Sequence, residues 1–282
     1  LAVTFAGADS TTVSEAVVKG ASDIQAGDDI TVKADTHKYQ NVNASGGAYT
    51  DGVLGIALAM SDSESTTTAS LGGTAKADGD IEVSAKMLAD KNDVSAASAA
   101  GSGLVAGLVV GGLNGAINSV AGAKKPATTK DPNSQPFGLA ASFAFSDHVN
   151  TVSSEIANDA TVQGKGDVRV NAVSSERPET SAIASVDTAN MTNDTKKNVA
   201  VSAAVVIGDF ENNAEARIGT GATVDAHKDV IVHAEAVNPY SIQWDQINGV
   251  GDILDKINPN LGVQNGLFTS WAQASATGED VG

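Results

Sequence analysis

The sequence predicts an all-β fold, a parallel β-helix (β-solenoid) with irregular corner loops. Three observations support this prediction. Small and β-branched residues dominate the 282-residue chain and aromatics make up only 4% of it, several stretches alternate apolar and polar residues, and one pattern recurs along the chain. A chain so short of aromatic volume favours thin repeated layers over a deep globular core.

The recurring pattern is clearest between residues 147–172 and 209–234, which align without a gap and share ten identical positions. Residues 9–34 fall on the same frame with seven identities to 209–234, and residues 74–85 form a weaker copy. One such unit of strands and turns cannot bury its inner face alone. We therefore expect the copies to stack on one another.

Each copy ends in a kernel that consists of a turn, an aspartate and a strand of alternating buried and exposed residues. The outward kernel positions, such as Ile231 and His233, carry different chemistry in each copy, so contacts with other molecules are expected on the outer face and the corner loops. The inner face of the two best copies is predicted to hold the structural repeat residues Val168, Val170, Ala172, Val230, Val232 and Ala234.

The whole chain, residues 1–282, is predicted to be a single β-helical segment of a longer protein. Coils of about 20 to 25 residues, stacked about 4.8 Å apart, would give about twelve coils and a rod roughly 60 Å long. Polar, aperiodic stretches predict loop insertions at about 121–138 and 174–198. A non-repeat insertion is expected at about 238–270, where GDILDKIN (251–258) predicts one short amphipathic helix.

Charge and composition narrow the classes of partner. The formal net charge of −17 disfavours nucleic acid and anionic membranes, and the absence of cysteine excludes disulfides and thiolate metal sites. The uncharged run from Val94 to Ala123 is interpreted as a buried pair of small-residue strands, not as a transmembrane segment.

The kernel aspartates admit two interpretations. Stacked carboxylates are hard oxygen ligands that suit Ca²⁺. An aspartate at a turn also accepts hydrogen bonds from nearby backbone amides, and this interpretation is favoured because the dense calcium-binding repeat GGxGxD is absent. No other cofactor is expected, and the four histidines lack metal-ligand spacing. The Ca²⁺ candidates are Asp29, Asp80, Asp167 and Asp229.

Residues 198–236, their weaker copies and NPNLGVQNGLFTSWAQASATG (258–278) resemble segments of very large bacterial filamentous adhesins, the filamentous-haemagglutinin and leukotoxin-type exoproteins. The resemblance implies a right-handed β-helical shaft that is exported to the bacterial cell surface.

The function predicted from the sequence is that of a non-enzymatic structural shaft of an extracellular adhesin or surface fibre. Its expected partners are neighbouring repeats of the same long chain and host or cell-surface glycans or proteins. Two alternatives remain open. One is a β-helical polysaccharide-active enzyme, which needs two carboxylates in a groove with aromatics for sugar stacking. The other is a self-associating matrix or fibre subunit with unpaired strand edges.

Overall fold

The computed structural model describes residues 1–48, 53–101, 137–187, 199–237, 257–258, 262–263, 270–277 and 280–281. The regular structure within these ranges is β-strand throughout. In chain order the strands are β1 (Ala2–Val18), β2 (Asp23–Ala26), β3 (Ile30–Ala48), β4 (Val53–Leu71), β5 (Thr74–Ala77), β6 (Ile81–Gly101), β7 (Phe137–Ile156), β8 (Thr161–Gly164), β9 (Val168–Asp187), β10 (Val199–Ile218), β11 (Thr223–Ala226), β12 (Val230–Val237), β13 (Ile257–Asn258), β14 (Gly262–Val263), β15 (Ser270–Thr277) and β16 (Asp280–Val281).

Three parallel sheets form the body, an arrangement consistent with a β-solenoid. Sheet A has the order β1-β4-β7-β10-β16, and sheet B is short, with the order β11-β8-β5-β2. Sheet C has the order β12-β9-β6-β3, with β15 also paired to β9. The chain therefore passes from A through B to C in each coil, and coils 1 to 4 consist of β1–β3, β4–β6, β7–β9 and β10–β12. The small antiparallel pair β13–β14 lies outside this path.

The described residues form four stacked coils, a number smaller than the sequence predicts. The long strands of sheets A and C, which are β1, β3, β4, β6, β7, β9 and β10, run for 17 to 21 residues. This is roughly 60 Å at about 3.3 Å per residue, whereas four coils span only about 14 Å between the outer strands. The long dimension thus lies along the strands. The expectation of about twelve coils was wrong because runs of Ala, Ser and Thr between kernels continue as strand without turning.

The register confirms the internal alignment of the sequence. Asp147 pairs with Asp209 in sheet A, and Val168 pairs with Val230 in sheet C. The spacing between kernel aspartates is therefore the length of a coil, and it varies because segments of different length join sheet C of one coil to sheet A of the next.

Small side chains fill the space between sheets A and C. The largest apolar cluster lies beside sheet B and includes Leu71, Ile81, Met87 and Ile156, all without solvent exposure. A second cluster, around Val42 and Val94, lies further along the same strands. Alanine and serine at the intervening inward positions let the two long sheets pack closely.

The corner between sheets A and B requires a left-handed backbone. Gly221 has a φ of 75°, and Asp159 occupies the equivalent position in the preceding coil with a φ of 59°. Aspartate is one of the few residues other than glycine that tolerates this conformation, so both coils make the same corner.

The loop predicted at 174–198 begins too early, because β9 continues to Asp187. Between residues 174 and 180 fully buried positions alternate with less buried ones, as in a strand, so polarity alone did not mark a loop. The predicted loop at 121–138 lies outside the described residues up to 136, and Phe137 already belongs to β7. The predicted helix at 251–258 also falls outside them, except that Ile257 and Asn258 form β13.

The predicted insertion at 238–270 has a defined position in sheet C. Val237, at the end of β12, pairs with Ser175, and Ser270, at the start of β15, pairs with Thr180. The chain therefore leaves the row of β12 and returns to the same row five residues further along β9. No helix within the described ranges is long and apolar enough to span a bilayer.

Candidate functional site

The predicted kernel residues point to the inner face but differ in burial. Val168, Val170 and Ala172 of coil 3 are completely buried. Val230 and Val232, which pair with Val168 and Val170, are 48% and 46% exposed, and Ala234 is exposed as well. Because β12 pairs with β9 and with no other strand in the described ranges, its inner face is covered from one side only.

The kernel aspartates form a ladder of hydrogen bonds from coil to coil. Each carboxylate accepts the backbone N–H of the kernel aspartate in the next coil: Asp29 from Asp80 at 2.7 Å, Asp80 from Asp167 at 2.8 Å, and Asp167 from Asp229 at 3.0 Å. The carboxylates thus satisfy backbone donors where the chain turns into sheet C. Within the described ranges, no three His, Cys, Asp or Glu side chains are arranged to hold a metal ion.

Arg169 strengthens this ladder between coils 2 and 3. Its guanidinium donates hydrogen bonds to Asp80, at 3.1 Å, and to Asp167. The Asp167 N–H lowers the pKa of Asp80 most; burial opposes this effect, and the hydrogen bond and the charge of Arg169 lower the pKa further. Asp80 is therefore ionised at neutral pH and acts as a fixed acceptor.

Two corners of the ladder use glycine directly before the aspartate. A β-carbon on Gly79 would lie 2.1 Å from the Asp29 carboxylate, and one on Gly166 would lie 1.9 Å from that of Asp80. These distances are shorter than any real contact, so a side chain at either position would displace the accepting carboxylate.

A layer of polar side chains crosses the interior between the two apolar clusters, and the sequence alone did not reveal it. Its centre is His148 on sheet A, whose Nδ1 donates to Glu176 Oε1 on sheet C at 2.7 Å. The His148 side chain is 1% exposed and that of Glu176 is completely buried. The polar layer therefore joins the two long sheets through a buried charged group.

Amide and hydroxyl groups complete the surroundings of this pair. Asn92 donates to Glu176 Oε1, and Asn150 donates to Oε2, each at 2.5 Å. Ser61 lies 2.9 Å from Nε2 of His148. Both carboxylate oxygens of Glu176 thus have donors, as a buried charge requires.

The pKa of Glu176 is lowered although burial alone would raise it. The hydrogen bond and the charge of His148 oppose the effect of burial, and the Asn92 amide and the Lys38 charge contribute further. Glu176 is consequently an ionised carboxylate at neutral pH. Both side chains are almost completely buried, so the arrangement suits a structural link between the two sheets.

The alternation of the strands is the signal that could have found this layer. Inward and outward positions alternate along each strand. Glu176 lies eight residues after Val168, which faces inward, and His148 lies one residue after Asp147, which faces outward, so both side chains point inward. The prediction of a loop from residue 174 removed Glu176 from that count.

The outer face of sheet A carries an apolar surface at the beginning of its strands. Phe5 and Val3 are 66% and 61% exposed, Ile207 is 56% exposed, and Phe143 is also exposed. Three rows run across the four coils in register, and together we call them the outer apolar rows: Val3–Ile56–Ala141–Ala203, Phe5–Leu58–Phe143–Val205 and Gly7–Met60–Phe145–Ile207.

A row of four aspartates borders the outer apolar rows. Asp9, Asp62, Asp147 and Asp209 pair in register, one from each coil, about 4.8 Å apart. A contiguous apolar surface with a polar rim is typical of an interaction surface. Single exposed hydrophobic residues that are scattered over a protein, in contrast, are normal and need no explanation.

A groove of 510 Å³ follows the outer side of sheet B. It is lined by polar side chains, which include Gln25, Lys76, Gln163 and Asp225. Lys165 forms an ion pair with Asp78 of the neighbouring coil at 2.6 Å. Its lining contains no Phe, Tyr or Trp residue and includes the imidazole of His227.

The histidines lie apart from one another in the described residues. His148 belongs to the polar layer, His227 lines the groove on sheet B, and His37 is exposed. His233 lies on the outer face, as predicted, with Nδ1 2.9 Å from the Asn171 side chain.

A scan against protein-family models and searches of the curated proteins and of the solved structures found no match to this chain.

Proposed function

We propose that this chain is a structural shaft segment of an extracellular filamentous adhesin or surface fibre at the bacterial cell surface. The right-handed winding is part of this proposal, because crossovers between parallel strands almost always take that hand. The coils would supply a rigid scaffold, and the outer face of sheet A would make the contacts.

The observation that supports a scaffold most directly is how the ionisable groups of the interior and of the corners are used. Glu176 and His148 face the interior and bond to each other, to Asn92, to Asn150 and to Ser61. Asp80 and Asp167 bond to the backbone of the next coil. These groups connect sheets and coils, and none of these bonds leaves a reactive group facing a cleft.

The contact surface in this proposal is the outer apolar rows together with the neighbouring aspartates. Sheet strands hold these side chains in fixed positions, and repetition across coils makes the surface multivalent. Exposed Phe5 and Phe143 offer rigid apolar contacts, which suit a protein surface on a host or neighbouring cell.

Adhesion can be tested with the purified chain and the double variant Phe5→Ser/Phe143→Ser on cultured cells. We expect the wild type to bind and the variant to lose most binding while keeping its circular dichroism spectrum. Protease treatment of the cells should remove the binding sites. Binding that survives the double substitution would contradict the assigned surface, and loss after glycosidase treatment instead would indicate a glycan receptor. Release of sugar products from acidic or neutral glycans would overturn the scaffold function.

Self-association is the second candidate, because strand edges are open in the described residues. β1 pairs with β4 alone and β12 with β9 alone, so backbone donors and acceptors line both ends of the stack. Neighbouring repeats of a longer chain are the proposed occupants of these edges. Light scattering and electron micrographs that show end-to-end growth of the isolated chain would favour the fibre subunit instead.

A further inference from the structure

Five buried polar atoms in the polar layer have no hydrogen-bond partner. They are Lys38 Nζ, Gln40 Oε1, Ser65 Oγ, Asn92 Oδ1 and Asn150 Oδ1. Such atoms are rare in folded proteins because a buried donor or acceptor that stays unpaired has lost its hydrogen bonds to water without replacement. Their grouping in one part of the interior therefore calls for a ligand.

The register places the five atoms around Ala89. On sheet C, Lys38 pairs with Ala89, and Ala89 pairs with Glu176. In this row the methyl group of Ala89 therefore lies between the Lys38 ammonium and the Glu176 carboxylate. The next inward position holds Gln40 and Asn92. On sheet A, Ser65 pairs with Asn150, whose amide already contacts Glu176.

A local irregularity of the strands lies at the same level of the interior. The register of β3 against β6 shifts between Lys38 and Tyr39, and that of β6 against β9 shifts between Ala89 and Asn92. The strand β6 thus has one extra residue where the short Ala89 side chain lies. Bulges of this kind bend a strand locally and redirect its side chains.

The unpaired atoms define the chemistry of the occupant. One is an ammonium donor, three are amide oxygen acceptors, and the Ser65 hydroxyl can donate or accept. A metal cation would be attracted by the oxygens but repelled by Lys38. Water can accept from the ammonium and donate to the amide oxygens at the same time.

We propose that the unpaired polar atoms around Ala89 bind a fixed cluster of water molecules that connects Lys38 of coil 1 to Asn92 of coil 2 and Asn150 of coil 3. A buried water makes about three hydrogen bonds, so about two molecules would satisfy the five atoms. The cluster completes a polar link through three successive coils. It thereby fixes their relative register, which small-residue packing alone specifies weakly.

The opposite charges of Lys38 and Glu176 are consistent with a water link between the two side chains. Burial lowers the pKa of Lys38, and the negative charge of Glu176 opposes that effect. An ammonium in this position gains from water that relays its interaction to the carboxylate.

Water ¹⁷O relaxation dispersion counts long-lived internal waters and tests the proposal directly. We expect the Lys38→Met variant to lose about two such waters relative to the wild type, by the same three-bond stoichiometry. Lys33→Met is the matched control, since Lys33 lies on the outer side of the same strand, and its water count should equal that of the wild type. An equal count in Lys38→Met and the wild type would overturn the proposal.

A high-resolution crystal structure of the wild type tests it without any variant, should Lys38→Met fail to fold. Water density within hydrogen-bond distance of Lys38 Nζ and Asn92 Oδ1 would support the proposal. Direct bonds from Lys38 to Gln40 or Ser65 with no intervening density would overturn it. So would an anomalous peak at this position in crystals soaked in thallium salt, because that would identify a monovalent cation site.

Discussion

His148 and Glu176, 28 residues apart, face each other across the interior with 2.7 Å between Nδ1 and Oε1. The two side chains come from different sheets of the same coil and are almost free of solvent. A buried ion is costly to leave without partners, so the surrounding serine and asparagine side chains are as necessary as the pair itself. The polar layer is therefore the part of the interior most sensitive to substitution.

Glu176→Gln should lower the free energy of unfolding by about 3 kcal/mol. A glutamine amide presents one acceptor and one donor to the three donors His148, Asn92 and Asn150, so at least one buried group loses its partner. Denaturant unfolding followed by circular dichroism measures the change.

The matched control is Glu155→Gln, which removes a carboxylate that bonds to the exposed Arg217. Its cost should stay below about 1 kcal/mol because surface ion pairs contribute little. An equal decrease in the free energy of unfolding in the two variants would contradict the inference that the polar layer stabilises the fold more than a surface ion pair does.

Stability should fall in acid through the titration of Glu176. The folded pKa lies below the ordinary value, so the unfolded chain binds more protons between the two values. The contribution is complete above the unfolded pKa of about 4.3 and is lost as the pH falls through the folded pKa. Denaturation midpoints measured between pH 7 and pH 3 should decrease less steeply in Glu176→Gln than in the wild type. Parallel curves would show that other carboxylates cause the acid sensitivity.

The sequence supports prediction of the repeat frame better than prediction of the site. Alternation from Asp147 and Asp167 fixes which residues point inward, and the observed register agrees with it. The site was missed because its partners are distant in sequence: nothing near His148 indicates that Glu176 and Asn92 will meet it. Those contacts depend on which coils stack, and on the extra residue in β6, which shifts Asn92 relative to Ala89.

Asp167→Ala should destabilise the corner by about 1 to 2 kcal/mol, since the backbone N–H of Asp229 loses its acceptor. Asp167→Asn keeps an oxygen at the same position and should cost less, although it weakens the bond to Arg169. Thermal unfolding of both variants with and without Ca²⁺ distinguishes the two interpretations of the aspartate ladder. A large rise in Tm with stoichiometric Ca²⁺ in the wild type, absent from both variants, would favour the calcium interpretation.

The same kernel substitution should have different effects in coils 3 and 4. Val170→Ala removes two methyl groups from a fully buried position and should cost about 2 kcal/mol. Val232→Ala changes the paired position of coil 4, which is half exposed, and should cost about half as much or less. Equal costs by chemical denaturation would show that the inner face of β12 is covered in the folded protein.

Phe143→Ser should reduce the binding of an environment-sensitive apolar dye such as ANS while changing the free energy of unfolding by less than about 1 kcal/mol. The reason is that Phe143 lies in the middle of the outer apolar rows, where Phe5 and Leu58 extend the same surface across the coils. Val13→Ser is the matched control. Val13 is also an exposed apolar residue of sheet A, with 62% of its surface accessible, but it pairs with Thr66 in a polar row. Dye fluorescence should therefore fall in Phe143→Ser and remain near the wild-type level in Val13→Ser. An unchanged signal in both variants would mean that the outer apolar rows are covered in solution, and equal losses would mean that the dye reports general exposure instead of one continuous surface.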